Sequence, residues 1–374
     1  MLFITNGTFN AASKVINPYA HEVLSIAGKR GSSTVFTADG EDRILSGDSH
    51  ATNHHDAIIY DLTLGGTTAL RLSGFNQFLL GEGNDVLDLT SRSGHAAYDY
   101  GERYDPNGFT TDLVVDAGSG DDVVWTGASN DFVVGDEHNQ FTAPVLAVGG
   151  DDAIDGGAGN DHIFGDVYDG GPFTAGDDVL AGGAGRDRIF GEAFHTSGGL
   201  VAGNDELRGG NGADQLYGDV YIISGLSAGQ SLTFGDDKLY GGSGNDQLYG
   251  DFDARISDAG TFYGGDDRLV GGAGNDTLYG DSSNTTSSVV VGGADVFVFA
   301  NGDGQDLIGD FGRGADRIDV SAFGFTSFAE VSSLITYNEA HNEATIAFDA
   351  DDGVLVQQYA QASFTLSDAD FIFA

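Results

Sequence analysis

The chemistry of this chain is concentrated in acidic side chains set among glycines at fixed spacing. Five ungapped blocks of 17 residues repeat one arrangement: 150–166, 176–192, 203–219, 235–251 and 265–281. Each carries three glycines and an aspartate as Gly-Gly-x-Gly-x-Asp. These are Gly156, Gly157, Gly159 and Asp161; Gly182, Gly183, Gly185 and Asp187; Gly209, Gly210, Gly212 and Asp214; Gly241, Gly242, Gly244 and Asp246; and Gly271, Gly272, Gly274 and Asp276. Another aspartate stands near the start of each block, at Asp152, Asp178, Asp205, Asp237 and Asp267. An acid closes each block, at Asp166, Glu192, Asp219, Asp251 and Asp281. Carboxylates and backbone carbonyls are hard oxygen donors, the ligands that Ca²⁺ gathers six to eight at a time. Glycine turns through positive φ without steric cost, which brings carbonyls close to an ion. The spacing predicts multiple Ca²⁺ ions held between successive turns.

Positioning these acids requires short strands. Two residues beyond each sixth-position aspartate stands a large aliphatic: Ile163, Ile189, Leu216, Leu248 and Leu278. Nine residues earlier in each block stands its partner: Ile154, Leu180, Leu207, Leu239 and Leu269. Each block therefore reads as strand, turn, strand, with both aliphatics pointing inward and the two turns of a coil on opposite edges. One edge carries the intact glycine turns. On the other, spacers of 9, 10, 15 and 13 residues loop out between the acid that closes one block and the aspartate that opens the next. Ca²⁺ is expected on both edges. A flexible Gly/Asp linker is the competing reading, but linkers do not keep apolar residues in register. An aromatic follows the second aliphatic in every block, Phe164, Phe190, Tyr217, Tyr249 and Tyr279, and predicts a ladder on one outer face that packs under the loops, with a sugar- or partner-binding stripe as the alternative.

The repeated G-G-x-G-x-D-x-U-x nonapeptide, with U a large aliphatic residue, is the known pattern of RTX (hemolysin-type) calcium repeats, and its five intact copies make the resemblance specific. The expected fold is all-β: a right-handed parallel β-roll, or β-solenoid, stapled by Ca²⁺. Upstream, degenerate turns end in aspartate before an apolar pair, at residues 39–45, 81–87, 118–124 and 127–133. Residues 1–149 are read as an irregular solenoid and 150–299 as the calcium-binding roll with extruded loops. Residues 300–374 are read as a small β-rich cap containing one helix, since a solenoid end must cover its core. Ser327 and Glu330 predict a capping box ahead of Phe328, Val331, Leu334 and Ile335 at helical spacing. Strands are expected at 344–348, 354–358 and 371–373.

Residues 292–374 resemble the C-terminal module of serralysin-type exoproteins, on Gly292-Gly293-Ala294-Asp295-Val296-Phe297-Val298-Phe299, the run 312–323 and the ending 367–374. The resemblance implies an uncleaved C-terminal signal, export by type I secretion machinery and an extracellular location.

Composition agrees. Among 374 residues there are 60 Gly, 58 Asp plus Glu and 15 Lys plus Arg, for a formal net charge of −43. So much like charge repels itself unless cations neutralise it. Nucleic acid and anionic membranes, which need a basic face, are poor partners. There is no cysteine, so disulfides, thiolate zinc sites and thiol catalysis are excluded, and bound metal is the expected staple. The first residues do not read as a Sec signal peptide, and no apolar run is long enough for a transmembrane helix.

Other motifs are weaker. His21-Glu22 lacks the second histidine of a zinc-protease helix. His50, His54, His55 and Asp56 read as a solvated loop. Gly225-Leu226-Ser227-Ala228-Gly229 matches a nucleophile elbow but sits in a spacer. Asp349–Gly353 reads as a turn between strands. The sequence thus points to a secreted, non-catalytic, calcium-binding protein that folds on meeting Ca²⁺ outside the cell. The alternatives are a polysaccharide- or ester-active enzyme with its site in 1–149, and an adhesin or surface-layer component whose loops meet a cell-surface or glycan partner.

Overall fold

The computed structural model describes residues 112–136, 148–170, 173–197, 200–224, 231–253, 260–283, 289–312, 315–358 and 364–374, together with short strands between residues 2 and 88. Each 17-residue block folds as the periodicity requires. In the block 150–166 the strand Ala153–Asp155 leads into the glycine turn, and His162–Phe164 leads out of it. Successive coils stack in parallel, so the first strands of all coils join one long sheet and the second strands join another.

Register follows the aliphatic residues. In the first sheet Val124 pairs with Ile154, then Leu180, Leu207, Leu239, Leu269, Phe297 and Ile318. In the second, Val133 pairs with Ile163, then Ile189, Leu216, Leu248, Leu278 and Ile308. All are buried and meet in one core between the sheets. A one-residue slip would turn each coil's aliphatic outward, so burial of this row fixes the pairing. The chain is a parallel β-solenoid, as its repeats predict.

Upstream, the degenerate turns feed the same sheets. Val123–Trp125 and Phe132–Val134 extend the stack by one coil, and Val86–Asp88 pairs with Val123–Trp125. Further back the first sheet becomes mixed: Ile59–Leu64 runs antiparallel to both Ile44–Asp48 and Thr67–Ser73. The histidines at 21, 50, 54 and 55, with Glu22 and Asp56, lie outside the described residues, as does the 225–229 motif.

The described parts of the spacers form strands. Val167–Gly170, Ala193–Ser197 and Val220–Ser224 form a three-stranded parallel sheet. Phe173–Thr174, Leu200–Val201, Ser231–Thr233, Thr261–Tyr263 and Val289–Val291 form a five-stranded one. Val167, Phe173, Ala193, Leu200, Val220 and Phe262 belong to a second small core there. The aromatic ladder lies beneath these spacers. Phe164, Phe190, Tyr217 and Tyr249 stack at 4.9 Å between ring centroids, and Tyr279 continues at 5.2 Å. Tyr168, Phe194 and Tyr221 from the spacers pack edge-on against it, so most of the row is buried.

At the far end, Gly353–Gln358 adds in parallel to Gln305–Phe311, and Glu343–Ala347 and Ile335–Asn338 follow antiparallel. Val331, Ile346, Val354, Leu366 and Phe371 close the core. The helix is a single turn, Phe328–Val331, continued by a 3₁₀ turn at Ser332–Leu334. The expected capping box does not form. The Ser327 side chain makes no cap bond, and the Glu330 carboxylate accepts from the Thr326 N–H at 2.7 Å instead. A helix this short leaves Glu330 free to brace the chain before the helix rather than the cap residue. Asp349 accepts from the N–H groups of Asp351 and Asp352, which makes the expected turn between strands.

Candidate metal centre

Stacking brings the acids into three files. On the glycine-turn edge, one carboxylate oxygen of each aspartate accepts the backbone N–H of the equivalent aspartate one coil earlier. Asp131 donates to Asp161 at 2.7 Å, Asp161 to Asp187, Asp187 to Asp214, Asp214 to Asp246 and Asp246 to Asp276 each at 2.8 Å, and Asp276 to Asp306 at 2.9 Å. On the spacer edge the same ladder runs from Asp152 to Asp178 (2.7 Å), Asp205 (2.8 Å), Asp237 (2.7 Å), Asp267 (2.8 Å) and Asp295 (3.0 Å).

The third file closes the necks of the spacers. Glu192 accepts from the N–H of Gly203 at 2.6 Å, Asp251 from Gly265 at 2.9 Å and Asp281 from Gly293 at 2.9 Å. Asp166 and Asp219 hold Gly176 and Gly235, each at 3.3 Å. An acid at the foot of each spacer thus pins the glycine where the chain re-enters the stack.

The backbone explains why the turns need glycine. Gly183 and Gly185 have φ of 101° and 147°, values that an L side chain rarely adopts. A different constraint acts at Gly165, where a Cβ would lie 1.8 Å from Asp178 Oδ2 and 1.9 Å from the carbonyl oxygen of Gly191. A carboxylate and a carbonyl oxygen of the next coil therefore converge on one point. The same pairing recurs at Gly191, with Asp205 Oδ2 and the Gly218 carbonyl.

Through most of the files one carboxylate oxygen is used by a backbone amide and the second is not. The other oxygens of Asp131, Asp161, Asp187, Asp214, Asp246 and Asp276 on the glycine edge are buried without a hydrogen-bond partner. So are those of Asp152, Asp178, Asp205, Asp237, Asp267 and Asp295 on the spacer edge, and of Asp136, Asp166, Glu192, Asp219 and Asp251 at the necks. Asp166, Asp178 and Glu192 each bring a buried carboxylate oxygen within 4.8 Å of the others.

Electrostatics follow from burial. Loss of water pushes Asp161, Asp237 and Asp306 up to about 8, Asp246 to about 7, and Asp187 and Asp276 to about 6. Asp166, Asp178, Asp205 and Glu192 rise well above the usual carboxylate range, first by desolvation and then by the charges of neighbouring acids. The amide bonds pull the other way and do not win. Buried like charges of this kind require protons or a cation.

The donor set fits a hard cation. The converging donors are carboxylate and carbonyl oxygens, and the chain has no cysteine to make a soft site. The five intact nonapeptides fall on one edge and the block-opening and block-closing acids on the other. Beyond those, the structure adds Asp131, Asp136, Asp295 and Asp306. Their signal was present in the sequence, since Asp131, Asp295 and Asp306 each precede a buried aliphatic or aromatic by two residues. The surrounding glycines are incomplete, which hides them from the nonapeptide pattern.

The family model described as peptidase M10 serralysin C terminal matches residues 29–371. Comparison with curated proteins gives no match.

Proposed function

The chain belongs to the peptidase M10 serralysin C-terminal family of RTX-like repeat proteins, and from that premise we propose that it is a secreted scaffold that folds by binding calcium outside the cell. The reading rests on one observation above all: file after file of buried carboxylates with one oxygen on a backbone amide, the second oxygen of Asp161, Asp187, Asp214, Asp246, Asp276 and their counterparts on the spacer edge being buried without a hydrogen-bond partner. Asp161, Asp187, Asp214, Asp246 and Asp276, with turn carbonyls, would hold Ca²⁺ on the glycine edge. Asp152, Asp178, Asp205, Asp237 and Asp267, with Asp166, Glu192, Asp219, Asp251 and Asp281, would hold it on the spacer edge. Bound Ca²⁺ supplies positive charge where the stack has buried only negative charge.

Two consequences follow for the life of the protein. In a cytoplasm poor in Ca²⁺ the acids repel one another and the chain stays extended, which suits export by type I machinery through a signal in 300–374. At the ~10⁻⁴–10⁻³ M affinities of extracellular calcium modules, the files fill after export. Binding free energy then becomes folding free energy. The acids of the stack act as ligands and hydrogen-bond acceptors, so their number is no sign of catalysis. Circular dichroism of the full chain at neutral pH tests the reading: chelation should abolish the β signal and added Ca²⁺ should restore it. An unchanged β signal after complete chelation would refute the coupling.

A further inference from the structure

The three-stranded sheet built by the spacers holds three residues that the calcium files do not use. Asp169 and His195 are paired in register on adjacent parallel strands, and Ser224 lies two residues beyond Ile222, the partner of His195 on the third strand. His195 Nδ1 lies 2.5 Å from Asp169 Oδ1, and His195 Nε2 lies 2.8 Å from Ser224 Oγ. We propose that Ser224 is an activated nucleophile, with His195 as its general base and Asp169 as the positioning residue, and that the spacer sheet attacks small esters through it.

The hydrogen-bond roles follow from the chemistry of the groups. An ionised carboxylate only accepts, so Nδ1 carries the proton it gives to Asp169. In the neutral imidazole Nε2 then presents its lone pair, and the Ser224 hydroxyl donates to it. This is the relay of a serine nucleophile, recognised by geometry and roles rather than by order in the chain. The His195 side chain is 25% exposed and that of Asp169 40%, while Ser224 is half-buried. The relay is thus partly open to solvent while the imidazole is held on both nitrogens.

The reaction balances without a further co-reactant except water. Ser224 Oγ bonds to the ester carbonyl carbon as its proton passes to His195 Nε2. The carbon–oxygen bond to the leaving alcohol breaks, and that oxygen takes the proton from Nε2. Water then adds to the acyl group, giving its proton to Nε2, and the carboxylic acid leaves as Ser224 recovers its proton. General-base assistance contributes typically ~10²–10⁴-fold, which suits slow turnover of activated esters.

The test is covalent capture of the calcium-loaded full chain by a fluorophosphonate, with peptide mapping of the adduct. Labelling is expected on Ser224, absent in Ser224→Ala and slowed about 100-fold in His195→Gln. Asp169→Asn should slow labelling and remove a low-field imidazole N–H resonance that the wild type shows, and Asp169→Glu should restore part of both. Circular dichroism of each variant separates loss of fold from loss of reactivity. If His195→Gln fails to fold, the wild type and Ser224→Ala, which loses one oxygen, still decide the matter. No adduct on Ser224, or equal labelling rates in wild type and folded His195→Gln, overturns the proposal. This outcome is independent of calcium coupling, because labelling is read on whatever folded chain is present.

Discussion

A carboxylate in this stack has two oxygens with different work. One accepts an amide from the preceding coil and sets the turn, while the other lies buried with no protein donor. That division predicts an unusual pH response. Asp161 and Asp237, pushed to about 8, and Asp187, pushed to about 6, bind protons more tightly in the cation-free fold than in the unfolded chain, where the ordinary value is near 4. Their contribution to the cation-free fold is therefore full below pH about 4 and is lost as pH rises through about 6 to 8. In chelator, the β signal should grow as pH falls from 8 to 4. Calcium affinity should move oppositely and weaken over the same fall, since protons and Ca²⁺ compete for the same oxygens. Circular dichroism and calcium titration across that range check both signs. A second prediction concerns Gly191, where a Cβ would sit 1.7 Å from the Gly218 carbonyl oxygen and 1.9 Å from Asp205 Oδ2. Gly191→Ala should destabilise the stack by at least the ~1–3 kcal/mol usual for overpacking, read as a lower unfolding midpoint in saturating calcium.

At the scale of elements, legibility tracked periodicity. Ile154 and Ile163, nine residues apart and repeated in every block, announced two strands facing one core, and the register confirms that pairing coil by coil. The aromatic row Phe164 to Tyr279 was equally plain, because it keeps the same offset. The spacer sheets were not legible. Val167–Gly170, Ala193–Ser197 and Val220–Ser224 each begin directly after the closing acid of a block, but the unequal spacer lengths beyond that acid made the whole segment read as loop. Their signal was compositional: apolar residues such as Val167, Phe173, Leu200 and Ile223 in segments that a solvated loop would fill with polar ones. The relay of His195 was hidden for the same reason, since Asp169 and Ser224 lie 26 and 29 residues away. The cap shows the opposite error, in which a local motif outvoted its context. Ser327 and Glu330 have capping-box spacing, yet the helix is one turn long and Glu330 turns to Thr326. Ser327→Ala should therefore change stability by less than about 0.5 kcal/mol in thermal unfolding, where a bonded cap would cost typically ~1 kcal/mol.

At the scale of the molecule, the solenoid is a one-dimensional assembly in which each coil meets only its neighbours. Its core is a double file of single aliphatic residues, and a formal net charge of −43 works against compaction. Hydrogen bonds between coils direct the acids inward, where only a cation can complete them without protonation. The central claim is therefore that calcium enters these files and that the stack forms as it does. Calorimetric titration of the chelator-stripped full chain with Ca²⁺ at neutral pH tests it most directly. The account predicts uptake of several calcium equivalents, at sub-millimolar to millimolar concentration, with gain of β-structure over the same range. A chain that takes up no calcium, or one already fully folded before the first addition, would contradict it.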